Sequence, residues 1–171
     1  MPRIDLHQQR LLQACRDGNL QAAQQAVHQD GAVVYDVVDH DPTGLTALHL
    51  ACQYNHLDVV QWIVQECDVH VQARDAKFQS TPLMLAAEAG HKRIVQFLLQ
   101  RCTTTIAINQ TDAHGWTALH LACLHEHEEI VDLLLRHKHV NVNCVDNVTA
   151  DTPLLKVCLR DATHLPLARL L

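Results

Sequence analysis

In 171 residues, enough for one ordinary domain, the chain carries a formal net charge of −6 and no basic run longer than Lys92-Arg93. That excludes a nucleic-acid partner, which needs a positive footprint to displace counterions. Hydrophobic residues make up 48% but aromatics only 4%, so any core is built from Leu, Val, Ile and Ala in thin helical layers.

The first unit runs from about Asp5 to Asp39. Leu11, Leu12, Ala14 and Cys15 form an apolar stripe, Arg16-Asp17-Gly18-Asn19 turns the chain, and Leu20, Ala22, Ala23, Ala26 and Val27 begin a second helix. Gln25 stands where later units have Trp62, Phe97 and Leu133, so this unit reads as an N-terminal cap that meets water on one side. Val33-Val34-Tyr35-Asp36-Val37-Val38-Asp39-His40 follows. It is β-branched and partly alternating, and reads either as an extended arm or as a staple filling the groove beside the cap.

The second unit (about 40–74) is the most regular. Thr46 stands at an N-cap position, Leu48, Ala51 and Cys52 make a buried face, Asn55-His56 turns the chain, and Leu57 to Val64 form a second helix. The third unit (75–111) and the fifth (146–171) place Pro82 and Pro153 directly after the capping Thr, where a missing N–H is harmless. The fourth (112–145) repeats the second as Thr117-Ala118-Leu119-His120-Leu121-Ala122-Cys123. From Thr46 to Thr81, Thr117 and Thr152 the steps are 35, 36 and 35 residues, a period that marks a stacked repeat architecture.

These units resemble ankyrin repeats. The likeness rests on Thr46-Ala47-Leu48-His49, Thr117-Ala118-Leu119-His120, Gly90-His91, Ile94-Val95-Gln96-Phe97-Leu98-Leu99 and Ile130-Val131-Asp132-Leu133-Leu134-Leu135. It is strong from about Asp41 to Leu155 and looser at the ends. The resemblance implies an all-α solenoid of helix–turn–helix units with short β-hairpin-like fingers, a single repeat domain over residues 1–171. It also implies that His49 and His120 tie their own turn to the next through backbone and Thr hydrogen bonds. The family period is about 33, so the extra residues belong in fingers and returns: Asp75 to Thr81, Arg101 to Ile108, and Asp146 to Thr152. The fifth unit breaks off, its Leu167, Leu170 and Leu171 stopping after barely two turns. The expectation is that the native chain continues past residue 171, or that this end is covered by a further repeat or domain.

No catalytic or cofactor chemistry is specified, and no cofactor or metal is expected. Ser80 is the single serine, without a Gly-rich elbow, and no phosphate-binding loop is present. His125-Glu126-His127 straddles a turn and reads as surface histidine, its side chains diverging, whereas zinc needs three or four converging ligands. Cys15, Cys52, Cys123 and Cys158 share the slot that Ala87 fills in the third unit, so they read as small buried packing residues. Equivalent slots about 8–10 Å apart are too distant for disulfides.

What remains is surface. The resemblance places partner specificity on a concave face formed by the fingers and the outward side of each first helix. By repeat position the candidates are Leu45, Lys77, Phe78, His114 and Trp116 on the fingers, and Tyr54, Glu88, Leu124 and His125 at the helix ends. Trp116 either meets a partner or packs on the adjacent finger. Asp36, Asp39, Asp41 and Asp75 suggest a partner with some basic character, though Asp also forms turns. The expected function is non-catalytic recognition of another protein. The alternative is a targeting or substrate-recruiting domain of a longer enzyme or host-directed effector, with its catalytic part beyond residue 171. No apolar run approaches the roughly 18 residues of a membrane span, and Met1-Pro2-Arg3-Ile4-Asp5 lacks a signal peptide's apolar core. The expected location is therefore cytoplasmic, or a host cytosol for an effector.

Overall fold

The computed structural model describes residues 6–29, 44–67, 69–101 and 105–160. The 33–40 arm with Asp36 and Asp39, Asp41, and the end at 161–171 lie outside the described residues. Among the described residues the chain forms ten helices and no extended strand. They are α1 (Leu6–Asp17), α2 (Leu20–His28), α3 (Ala47–Gln53), α4 (Leu57–Glu66) and α5 (Pro82–Glu88). After these come α6 (Lys92–Leu99), α7 (Thr105–Ile108), α8 (Ala118–Leu124), α9 (Glu128–Leu135) and α10 (Pro153–Arg160).

The first helix of each unit starts where the threonine spacing puts it. The hydroxyls of Thr46, Thr81, Thr117 and Thr152 accept from the amides of His49, Met84, His120 and Leu155 at 3.3–3.4 Å. In α3, α5 and α8 the third helical residue also reaches back to the cap's own N–H, closing a reciprocal capping box. Such a cap stabilises a helix by about 0.5–2 kcal/mol. These helices have only seven or eight residues, too short to persist alone. Their stability comes from stacking.

The stack has two rows. α1, α3, α5, α8 and α10 pack successively in the inner row, while α2, α4, α6 and α9 pack successively in the outer row. One continuous core runs between them, from Leu11 and Cys15 through Leu50, Ile63, Met84, Ile94 and Leu98 to Leu119, Ile130 and Leu134. Cys15, Cys52 and Cys123 lie in it beside Ala87, and burial pushes the Cys15 and Cys123 thiols up to about 12. These thiols are buried among the packing residues of the core. The 101–108 return holds a feature the repeat spacing does not signal: α7, a single helical turn that inserts Ala107 and Ile108 into the core. At α10 the pattern changes. Leu154 and Leu155 are 38% and 44% exposed, although Leu83, Met84, Leu119 and His120 at the same positions are at most 4% exposed.

Candidate recognition groove

Two sets of histidines lock the layers at opposite edges. In the first, the Nε2–H of His49 donates to the Ser80 carbonyl at 3.0 Å and that of His120 to the Asp151 carbonyl at 3.2 Å. A carbonyl cannot donate, so Nε2 carries the proton and Nδ1 accepts, taking the hydroxyls of Thr46 and Thr117 at 2.8 and 2.9 Å. This is the role the family resemblance implies for both residues. Burial lowers the pKa of both rings below 6.5. Met84 replaces this histidine in the third unit, its Sδ accepting only from the Thr81 amide.

The second set escaped the sequence reading. His56, His91 and His127 stand at the N-cap of α4, α6 and α9 yet make no side-chain cap there. Each ring instead reaches back one unit, Nε2–H donating to the carbonyls of Arg16, Gln53 and Glu88 at 2.8–2.9 Å. His127 is therefore not a free surface histidine, and its ring does not diverge from that of His125. The two stack with centroids 6.2 Å apart and planes inclined by 17°. Close approach explains the preceding glycines: a Cβ on Gly90 would come within 2.7 Å of the His127 ring, and one on Gly18 within 2.2 Å of His56. The signal was present as the 35- and 36-residue steps between the three histidines, which match the threonine steps.

The fingers are turns folded around a buried aspartate. Asp75 accepts from the amides of Lys77, Phe78 and Ser80 at 2.6–2.9 Å, and Asp112 from those of His114 and Trp116 at 2.8 Å. Asp146 accepts from Val148 and Thr149 and pairs with Lys156 Nζ at 2.8 Å. Burial would raise the Asp146 carboxyl, but Lys156 and the two amides outweigh it and hold it well below the usual carboxylate range. Asp75, 1% exposed, serves its own turn, the turn-forming role open to an aspartate there. Each finger closes with one backbone bond, and neighbouring fingers join through Ala113 N–H to Phe78 O (2.7 Å) and Asn147 N–H to His114 O (2.8 Å). That is hairpin-like pairing without room for strands.

Fixed this way, the fingers set Phe78, His114 and Trp116 in a row, with centroids 6.1 and 5.4 Å apart. They wall a cavity of about 310 Å³ whose lining includes Leu45, Leu85 and Leu121, with Gln53 and Glu88 at the helix ends. Among the sequence candidates, Leu45, Phe78, Glu88, His114 and Trp116 line this groove together. Leu45 does so as a largely buried residue, 7% exposed, and not as a protruding finger tip. Lys77 lies outside the lining, its Nζ 4.5 Å from the Phe78 ring centroid. His125 is beside it too, with Nε2 3.7 Å from Glu88 Oε1. Tyr54 is 47% exposed just past α3, and Leu124 is half-buried at the end of α8; neither enters the lining. Leu85 and Leu121 were missed, because in sequence they are indistinguishable from the core residues flanking them.

Trp116 is half-buried, and its indole N–H is enclosed without an acceptor. A larger, more open cavity of about 470 Å³ lies between the outer helices, lined by Leu99, Leu133, Arg136 and His139 among others. Its Arg136 is already paired with Asp132 at 2.8 Å. The inner groove is smaller but walled by aromatic side chains, the residue class that dominates interface energetics. Among the described residues no three His, Cys, Asp or Glu side chains converge on a metal-sized site, and no helix is long and apolar enough to cross a membrane.

Layered helix pairs with a finger-lined inner groove define a helical repeat solenoid. The family pattern described as ankyrin repeats (3 copies) matches residues 4–75 and 67–146, and the chain belongs to the ankyrin-repeat family. It is similar to human transient receptor potential cation channel subfamily A member 1, with 37% identity over 101 residues. That match covers 58% of this chain and 9% of the channel subunit, so the chain corresponds to a small part of its relative. Ankyrin repeats are in general protein-interaction modules, and the family is typically non-catalytic.

Proposed function

We propose that the chain recognises another protein without catalysis, through the groove between its fingers and its inner helices. The observation that carries this reading is the row Phe78–His114–Trp116 standing over the aliphatic residues Leu45, Leu85 and Leu121. Burying aromatic rings against a complementary partner surface releases about 25 cal/mol per Å² of apolar area. Nucleic acid is not the expected partner at a net charge of −6, and the expected place of action is the cytoplasm.

The exposed Leu154 and Leu155 favour a second reading alongside the first. A further layer packs on α10, and the repeats serve as the recruiting part of a longer protein. Affinity capture with the full chain, repeated with Trp116→Ala and Tyr54→Ala, tests the main reading. The wild type should retain a partner that Trp116→Ala loses at least tenfold, with a smaller loss for Tyr54→Ala. Equal retention by all three would overturn it.

A further inference from the structure

The lining of the inner groove is lopsided in charge. Asp75, Glu88 and Asp112 contribute three carboxylates, and no Lys or Arg lines it. Both oxygens of Asp75 and Oδ1 of Asp112 are engaged by neutral amides, which leave the negative charge in place, and Asp112 Oδ2 lies 3.6 Å from His114 Nδ1. Glu88 is different. Its side chain is 45% exposed, and its carboxylate has one loose contact, His125 Nε2 at 3.7 Å. Phe78, His114 and Trp116 line the same groove, and aromatic ring faces attract cations within about 6 Å of the centroid. Resident ammonium groups already use this property: Lys77 Nζ sits 4.5 Å from the Phe78 centroid, and Lys156 Nζ 5.8 Å from that of Trp116.

We propose that the groove takes one basic side chain of the partner, an arginine or lysine whose stem lies on Leu85 and Leu121 and whose head reaches Glu88. This deepens the groove reading above and rests on it. A cavity of about 310 Å³ falls at the lower end of ligand pockets, which run from about 300 to 1,000 Å³. It suits one long side chain and not a folded element. The aliphatic stem covers apolar surface while the charged head stays near water and the carboxylate. Lys77 then competes for the same aromatic wall, so its removal should help the ligand.

The test is selection of a random twelve-residue peptide library on the immobilised full chain. Affinities of the winners are then measured for wild type, Trp116→Ala, Glu88→Gln and Lys77→Ala, with circular dichroism checking that each is folded. Glu88 and Lys77 are both exposed, so their variants should keep the fold. Expected are peptides with Arg or Lys at one common position, weakened at least tenfold by Trp116→Ala and fivefold by Glu88→Gln. Lys77→Ala should tighten them about twofold or more. Winners that need Trp116 but are apolar or acidic, or that ignore Glu88→Gln, would overturn the basic-ligand proposal and leave the groove reading standing. Winners indifferent to Trp116, or no winners, would overturn both.

Discussion

His49 and His120 each bring a titratable ring into the core in one fixed tautomer. Protonating Nδ1 would aim a second N–H at the amide of Thr46 or Thr117, which already donates to it. Both folded-state pKa values lie below 6.5, with burial as the leading cause. Below pH 6.5 the unfolded chain therefore binds more protons than the folded one. The stability these rings contribute is complete above that pH and drains away as pH falls toward their folded values. Each ring adds a slope of at most about 1.4 kcal/mol per pH unit. Urea midpoints should hold from pH 7.5 to about 6.5 and fall below that toward pH 5, and His120→Gln should flatten the fall. A pH-independent midpoint would contradict this. Trp116 gives a second residue-scale prediction. Its enclosed indole N–H lacks an acceptor, a state that costs about 1–3 kcal/mol. Trp116→Phe, which keeps a ring and drops the donor, should leave stability unchanged or raise it. A clear fall in melting temperature would reveal a hydrogen bond to that N–H.

Between elements, the inner-row junctions are not equivalent. α3 is tied to the finger ahead of α5 through His49, and α8 to the finger ahead of α10 through His120, but Met84 leaves the α5–α8 junction without this bond. The receiving carbonyl is in place: Trp116 O corresponds to Ser80 O and Asp151 O, and like them accepts from its finger's aspartate amide. Met84→His should therefore add a rung and stabilise the stack by about 0.5–1.5 kcal/mol, the usual net worth of one hydrogen bond. Denaturant titration at pH 7.5, where the new ring is neutral, reads this directly. Destabilisation would mean that the packing volume of Met84 outweighs the bond. Element starts at the four threonines were legible because a cap is local chemistry. The backward-reaching histidines were not, since each acceptor lies on a helix 38 to 40 residues earlier in the chain. The α7 turn was hidden by β-branched residues that favour other conformations in isolation.

For the whole molecule, periodicity made the architecture readable: four threonines at steps of 35, 36 and 35 residues dictate four caps at successive layers, and the leucine pattern dictates which sides meet. The finger aromatics were readable too, because the repeat spacing locates the fingers: Phe78 and His114 stand three residues before the capping threonines, and Trp116 one residue before Thr117. The groove's aliphatic lining was not. Leu85 and Leu121 share their heptapeptides with fully buried residues and are themselves core residues, 9% and 4% exposed, that also line the groove. The two cavities offer rival surfaces, one inside the fingers and one between α6 and α9. The most direct test of the central claim is a 15N–1H chemical-shift titration of the full chain with its captured partner. The expected result is saturable shifts centred on Phe78, Glu88, His114 and Trp116. Shifts confined to Gln96, Leu133, Arg136 and His139 on the outer face would contradict it.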